Sequence, residues 1–233
     1  MPATSGELML ILLADARLPT GAHTQSAGLE PAIRAGLPGE SIPAYLRARL
    51  RTVTTVEAGA AVVARSRTLS GTTDLVTDLA EVDHAWRART VSAAMRETAA
   101  LLGRGYARLL SRMWPAAPAV ATLATLRTAN PGGTSRAVVL GVAAALAGLS
   151  ADQLVRLIGY EEAQTVAAAA LKLEPLDPMD ATGWVIDVQP EIERMVDELS
   201  SITEVADIPA VGAPLIEQWA EIHATTTQRL FRA

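Results

Sequence analysis

Cysteine is absent from this 233-residue chain, which excludes disulfides and any thiolate metal site and agrees with a reducing compartment. Aromatics are scarce: four tryptophans, three tyrosines and a single phenylalanine. With so few aromatics and so much alanine, close-packed helices are favoured over sheets. No stretch alternates apolar and polar residues long enough to make a strand. The longest apolar runs, Leu8–Ala14 and Val138–Leu149, are too short to span a bilayer. The N-terminus lacks the basic segment and long apolar core of a signal peptide, so a soluble cytoplasmic protein is expected. No G-x-x-x-x-G-K-[ST] loop is present, which removes the common phosphate cradle.

What is present is half hydrophobic, enough for a full core. Charge is unevenly placed. Residues 1–136 hold fifteen arginines against ten acids, and residues 137–233 hold five basic against fifteen acidic groups. Such asymmetry gives two faces of different electrostatic preference, or simply solvated helix surface. It is not basic enough for a general nucleic-acid binder.

Proline, glycine and capping residues divide the chain into helices near 5–15, 25–35, 41–69, 73–84, 88–113, 118–129, 134–149, 151–173, 182–200 and 214–230. Met95, Thr98, Leu102, Tyr106, Leu109 and Met113 recur at helical steps and mark a buried stripe. Ala167 to Ala170 let neighbouring helices approach closely, which places that helix centrally. Glu174–Asp187 and Ser200–Pro214 are expected as long loops. The expected fold is all-α: a single-domain bundle of about ten helices over residues 1–233.

Chemistry-bearing constellations are few. His23, His84 and His223 are far apart, with no second ligand at metal spacing. Ser26 lacks an adjacent base and reads as a helix cap. Glu161 and Glu162 are adjacent on a helix and point apart, which argues against joint acid–base work. No catalytic, cofactor-binding or metal-ligating residue is expected. Arg104, Arg108 and Arg112 form a guanidinium row that is either solvated surface or a seat for acidic groups. Lys172, the only lysine, sits on the last turn of the central helix, where the helix dipole favours a cation.

Two segments are unusually particular. The first is Asp15-Ala-Arg-Leu-Pro19-Thr20-Gly21-Ala-His-Thr-Gln-Ser26-Ala-Gly-Leu-Glu30, a turn with Pro19 and Gly21 in a place where loops tolerate change. The second is the tail at about 214–233, ending His223-Ala-Thr-Thr-Thr-Gln-Arg229-Leu230-Phe231-Arg232. An apolar pair flanked by arginines there must find a groove, its own or a partner's.

The opening loop resembles the signature of UreF-type urease accessory proteins. The tail is similar to that family's closing run, His-Glu-x-x-Tyr-Ser-Arg-Leu-Phe-Arg-Ser, with Ala224 and Thr227 at the Glu and Tyr positions. Leu171–Leu176 and Arg96-Glu97 with Gly103 add to the likeness. Gly21-Ala22-His23 and Asp177-Pro178 depart from the family's usual Gly-Gly-Phe and Gly-Gln. The resemblance implies a UreF-like helical, usually homodimeric scaffold without a catalytic centre. It would bridge UreD (UreH) and the GTPase UreG on apo-urease and regulate nickel delivery. It also implies partner-binding roles for Asp15, Pro19, Thr20, Gly21, Ser26, Glu30, Lys172, His223, Arg229, Leu230, Phe231 and Arg232. The competing class is an all-α ligand-responsive transcriptional regulator, which needs an N-terminal helix-turn-helix with a basic recognition helix. The first sixty residues offer a Pro-Gly loop and few basic side chains before Arg47.

Overall fold

Small side chains decide how this fold packs. The computed structural model describes residues 6–130, 132–227 and 229–231. Helix α4 (Thr55–Leu69), with buried Ala58, Ala60, Ala61 and Ala64, packs on α8 (Arg136–Ala147), bringing Ala61 and Ala64 against it. The two backbones touch: a Cβ added at Gly141 would stand 2.4 Å from the Ala61 carbonyl oxygen. Ser135 caps α8, accepting a bond from the Val138 amide. The Val138–Leu149 run is thereby a buried core helix closed by Gly148 in a left-handed turn.

Around this pair lie α1 (Gly6–Leu13), α2 (Leu29–Arg34), α3 (Ile42–Arg49), α5 (Leu75–Arg89), α6 (Ala93–Met113) and α7 (Pro118–Ala129). Then follow α9 (Ala151–Leu173), α10 (Pro178–Asp187), α11 (Gln189–Leu199) and α12 (Pro214–Thr225). All described regular structure is helical, and one apolar cluster takes residues from every α-helix. Helix α9 starts with a capping box between Ser150 and Gln153 and packs on α4, α8, α10 and α11, the central position its alanines indicate. A π turn, Leu50–Thr54, joins α3 to α4 within one continuous helix. The Thr55 hydroxyl donates to the Leu50 carbonyl across this wider turn, at 2.6 Å.

Several boundaries differ from expectation. The expected loop 174–187 is mostly α10: Asp177 caps it through the Met179 amide, with Pro178 in the first turn. The single helix expected at 182–200 is split at Val188, ahead of Pro190, into α10 and α11. Helix α5 runs on to Arg89, and a break at Thr90–Ser92 delays α6 until Ser92 caps it. The α6 stripe is centred on Leu102, Gly103, Tyr106 and Leu110, so Met95, Thr98, Leu109 and Met113 are its half-buried flanks. The 200–214 connection is a loop with a 3-10 turn at Val205–Asp207, tied down by Arg89 to the Ile208 carbonyl at 2.9 Å.

Candidate partner-binding site

The opening loop is held by its backbone. Gly21 (φ 93°) and Gly28 (φ 73°) take left-handed conformations that cost a Cβ-bearing residue energy, and Ala27 between them adopts φ 51°. These turns keep α2 from starting at Ser26; it begins at Leu29 with Gly28 as its cap. Ser26 is fully buried, and its hydroxyl accepts from the Glu30 amide at 3.4 Å. Tyr45 donates to the Ala27 carbonyl at 2.7 Å and stacks obliquely on Trp219 of α12, 6.1 Å away. Burial pushes the Tyr45 phenol up to about 12, so it stays a donor. On the far side Thr20 is buried, its carbonyl so close to α6 that a Cβ at Gly105 would lie 2.3 Å from it. Pro19 is exposed, and Asp15 pairs with exposed Arg17 at 2.7 Å. Hydrogen bonds from the Arg17 side chain and amide draw the Asp15 carboxyl down to about 2.

The tail returns to this loop. Helix α12 stops at Thr225, short of the expected 230, because the chain turns back toward Glu30. The Glu30 carboxylate, 1% exposed, accepts the Leu230 and Phe231 amides at 2.8 Å each and pairs with Arg34 at 2.9 Å. His223 is buried beside it, Nε2 standing 3.3 Å from the Phe231 carbonyl oxygen and 3.8 Å from Glu30. A carbonyl only accepts, so Nε2 carries the proton. Burial, partly offset by that bond, pushes the imidazole below its ordinary value. The Phe231 ring is buried, with Lys172 Nζ 5.0 Å from its centroid, a cation–π contact. Leu230 stays exposed, as does Arg229. Arg232 lies outside the described residues. Three segments far apart in sequence, the opening loop, the end of α9 and the tail, thus meet at one point.

Beside this junction is a cleft of about 500 Å³, lined among others by Gln25, Arg49, Glu57, Arg104, Arg136, Glu162, His223 and Arg229. Its floor is ionic. Arg49 bonds Glu162; Arg136 lies 2.9 Å from Glu57 and 3.6 Å from Glu161; Tyr106 donates to Glu161 at 2.6 Å. Burial raises the Glu57 and Glu161 carboxyls, with Arg136 opposing the rise at both. Each carboxylate of this cluster faces a guanidinium or a phenol, so the cluster holds charge in place. Glu161 and Glu162 do diverge, as adjacent helical residues must. Sequence reasoning missed this network. Its one signal was Arg136, the single charge of the otherwise apolar α8, and periodicity alone cannot say which carboxylates it meets. Among the described residues, no group of three or more His, Asp or Glu is placed to hold a metal ion. No helix there is long and apolar enough to cross a membrane.

Fold and site together define an all-helical protein whose most particular residues are spent on joining segments. A family model described as UreF matches residues 39–189, from just before α3 to the start of α11. The urease accessory protein UreF of Mycobacterium marinum is 37% identical over 231 residues, covering 96% of this chain and 97% of that protein. The protein of the same name from Mycolicibacterium vanbaalenii is 33% identical over 224 residues, covering 95% and 96%. That from Mycobacterium tuberculosis is 31% identical over 226 residues, covering 96% and 97%. The chain belongs to the UreF family of urease accessory proteins, which are maturation factors rather than enzymes.

Proposed function

We propose that this chain is a scaffold in urease maturation that bridges UreD (UreH) and the GTPase UreG on apo-urease and governs GTP-dependent nickel delivery. The observation that carries the reading is the junction of Glu30, Lys172, His223 and Phe231, which holds the opening loop, the end of α9 and the tail together beneath one face. A scaffold changes a GTPase only by contacting one of its states better than another, and a surface assembled from distant segments can be made or lost as a unit. Residues 1–233 act as one helical domain, and the tail from about 214 is its contact with UreD. Exposed Leu230, together with Leu8, Ile11 and Leu12 on α1, supplies apolar area for such contacts. Asp15, Pro19, Thr20, Gly21, Ser26 and Glu30 shape the face beside it, while Arg229 and Arg232 flank the apolar pair. The scaffold works in the cytoplasm as a homodimer and needs no cofactor of its own.

The test is co-purification with UreD and UreG, comparing the full chain with one ending at Glu221. The truncated chain is expected to lose UreD. Undiminished capture of UreD would remove the tail from this role, and failure of the full chain to hold either partner would remove the scaffold reading itself.

A further inference from the structure

Nearly every arginine within the helices has a partner. Arg34, Arg47, Arg49, Arg67, Arg87, Arg136, Arg156 and Arg194 face carboxylates, and Arg65, Arg89 and Arg96 bond to carbonyls. Four stand apart. Arg104, Arg108 and Arg112 on α6 and Arg127 on α7 are exposed, with neither an ion pair nor a hydrogen bond among the described residues. They fall in a stretch, residues 93–135, that holds five arginines and one carboxylate, Glu97. In a protein of net charge −5 that is a local inversion, and α7 packs directly on α6.

We infer that the Arg104–Arg108–Arg112 ridge is a docking surface for an acidic protein segment that presents carboxylates at helical spacing. Four-residue steps on α6 set the guanidinium groups about 6 Å apart along the axis, the repeat of glutamates at i, i+4 and i+8 on a facing helix. Guanidinium forks match carboxylates bidentately. Two other occupants fit worse. Interfacial membrane binding needs apolar side chains to insert, and none of the exposed large apolar residues falls between 93 and 130. Nucleic acid needs more phosphate contacts and stacking aromatics, whereas Trp114 at the end of this ridge is half-buried and packed on the core. The ridge also adjoins the site already described: Arg104 lines the cleft, and the neighbouring Gly105 carries the Thr20 carbonyl of the opening loop. The inference rests on the scaffold reading only for where the natural partner is sought, among the urease components.

The test compares the full chain with an R104Q/R108Q/R112Q variant, all exposed positions, and with an R156Q/R194Q control. The probe is a fluorescein-labelled helical peptide with glutamates at four-residue steps, alongside its glutamine counterpart, read by anisotropy. Phosphatidylserine vesicles and a single-stranded RNA of equal charge run in parallel. The expected result is at least a tenfold loss of glutamate-peptide binding in the triple variant, with wild-type affinity in the control and little binding of the glutamine peptide. UreG or UreD capture should fall with it. Equal peptide binding by the triple variant, or stronger binding of vesicles or RNA than of the peptide, would overturn the inference. Loss of peptide binding without loss of capture would overturn its link to urease components and leave the scaffold reading intact.

Discussion

At the scale of single residues, Glu30 holds more of this site than any other side chain. Its carboxylate takes two backbone amides and a guanidinium while almost wholly buried. Hydrogen bonds to a charged group contribute roughly 1.5–3 kcal/mol each, so Glu30→Gln, which keeps shape but loses charge and one acceptor, is expected to cost about 2–4 kcal/mol. Hydrogen exchange at the Leu230 and Phe231 amides should accelerate while α4 and α8 stay protected; unchanged exchange there would show that the tail is held by something else. His223 adds a pH dependence whose sign is fixed by burial. The native imidazole sits below 6.5, so as pH falls through that region the unfolded chain takes up a proton that the folded chain refuses. Stability is therefore retained above about 6.5 and lost as pH drops toward the lowered native value. The groups facing the ring, Glu30 and the Phe231 carbonyl on one side and Arg34 and Arg229 on the other, do not reverse that direction. Thermal melts between pH 7.5 and 5.5 should fall less steeply for His223→Gln than for the wild type, and parallel slopes would refute the assignment. Both residues stand out in the sequence, each in a segment too particular for an ordinary loop or tail. That one clamps the other's end of the chain is not legible there, because a contact across 200 positions leaves no local pattern.

At the scale of elements, glycine and alanine set distances between helices, and two glycines with opposite surroundings make the point testable. Gly141 lies where α8 meets α4, and a methyl there would press on the Ala61 carbonyl at 2.4 Å and the Arg65 amide nitrogen at 2.9 Å. Backbone cannot yield as a side chain can, so Gly141→Ala should cost about 1–3 kcal/mol despite its better helix propensity. Gly183 stands inside α10 with nothing within 4 Å of where a methyl would sit, and Gly183→Ala should stabilise by roughly 0.5–1 kcal/mol. Urea titrations of the two variants should therefore move in opposite directions; matched shifts would mean that propensity, not packing, governs the core. The same logic separates what local sequence can show from what it cannot. Helices whose start is announced by a serine cap, as in α8 and α9, or by a first-turn proline, as in α7, can be placed from sequence nearly to the residue. Helix α10 reads as a loop because Asp177 and Pro178 resemble a turn as much as a helix start. The α5–α6 boundary lies elsewhere than expected because Thr90–Ser92 contains neither proline nor glycine to announce the break.

At the scale of the molecule, the buried charges join what the apolar core only brings together. Arg49 of α3 reaches Glu162 of α9; Arg136 of α8 reaches Glu57 of α4 and Glu161 of α9; Tyr106 of α6 reaches Glu161. Five helices are thus connected beneath the cleft that borders the tail junction. Burying such pairs is expensive, and an apolar core of equal volume would often be as stable, so the network's contribution is one of fixed geometry more than net stability. Removing one partner is a different matter, because the other charge is left buried and alone. Glu162→Gln is expected to cost about 3–5 kcal/mol, whereas Glu193→Gln, which breaks the exposed pair with Arg156, should cost under about 1 kcal/mol. The double replacement R49M/E162M should recover most of the single-variant loss while loosening the relative placement of α3 and α9. Denaturant unfolding gives the coupling energy from the two single variants and the double, and exchange at the Leu230 and Phe231 amides reports whether the junction has shifted. Recovery of stability together with faster tail exchange would show that the ionic network sets the position of the surface; a double variant as unstable as either single one would show that it serves stability alone.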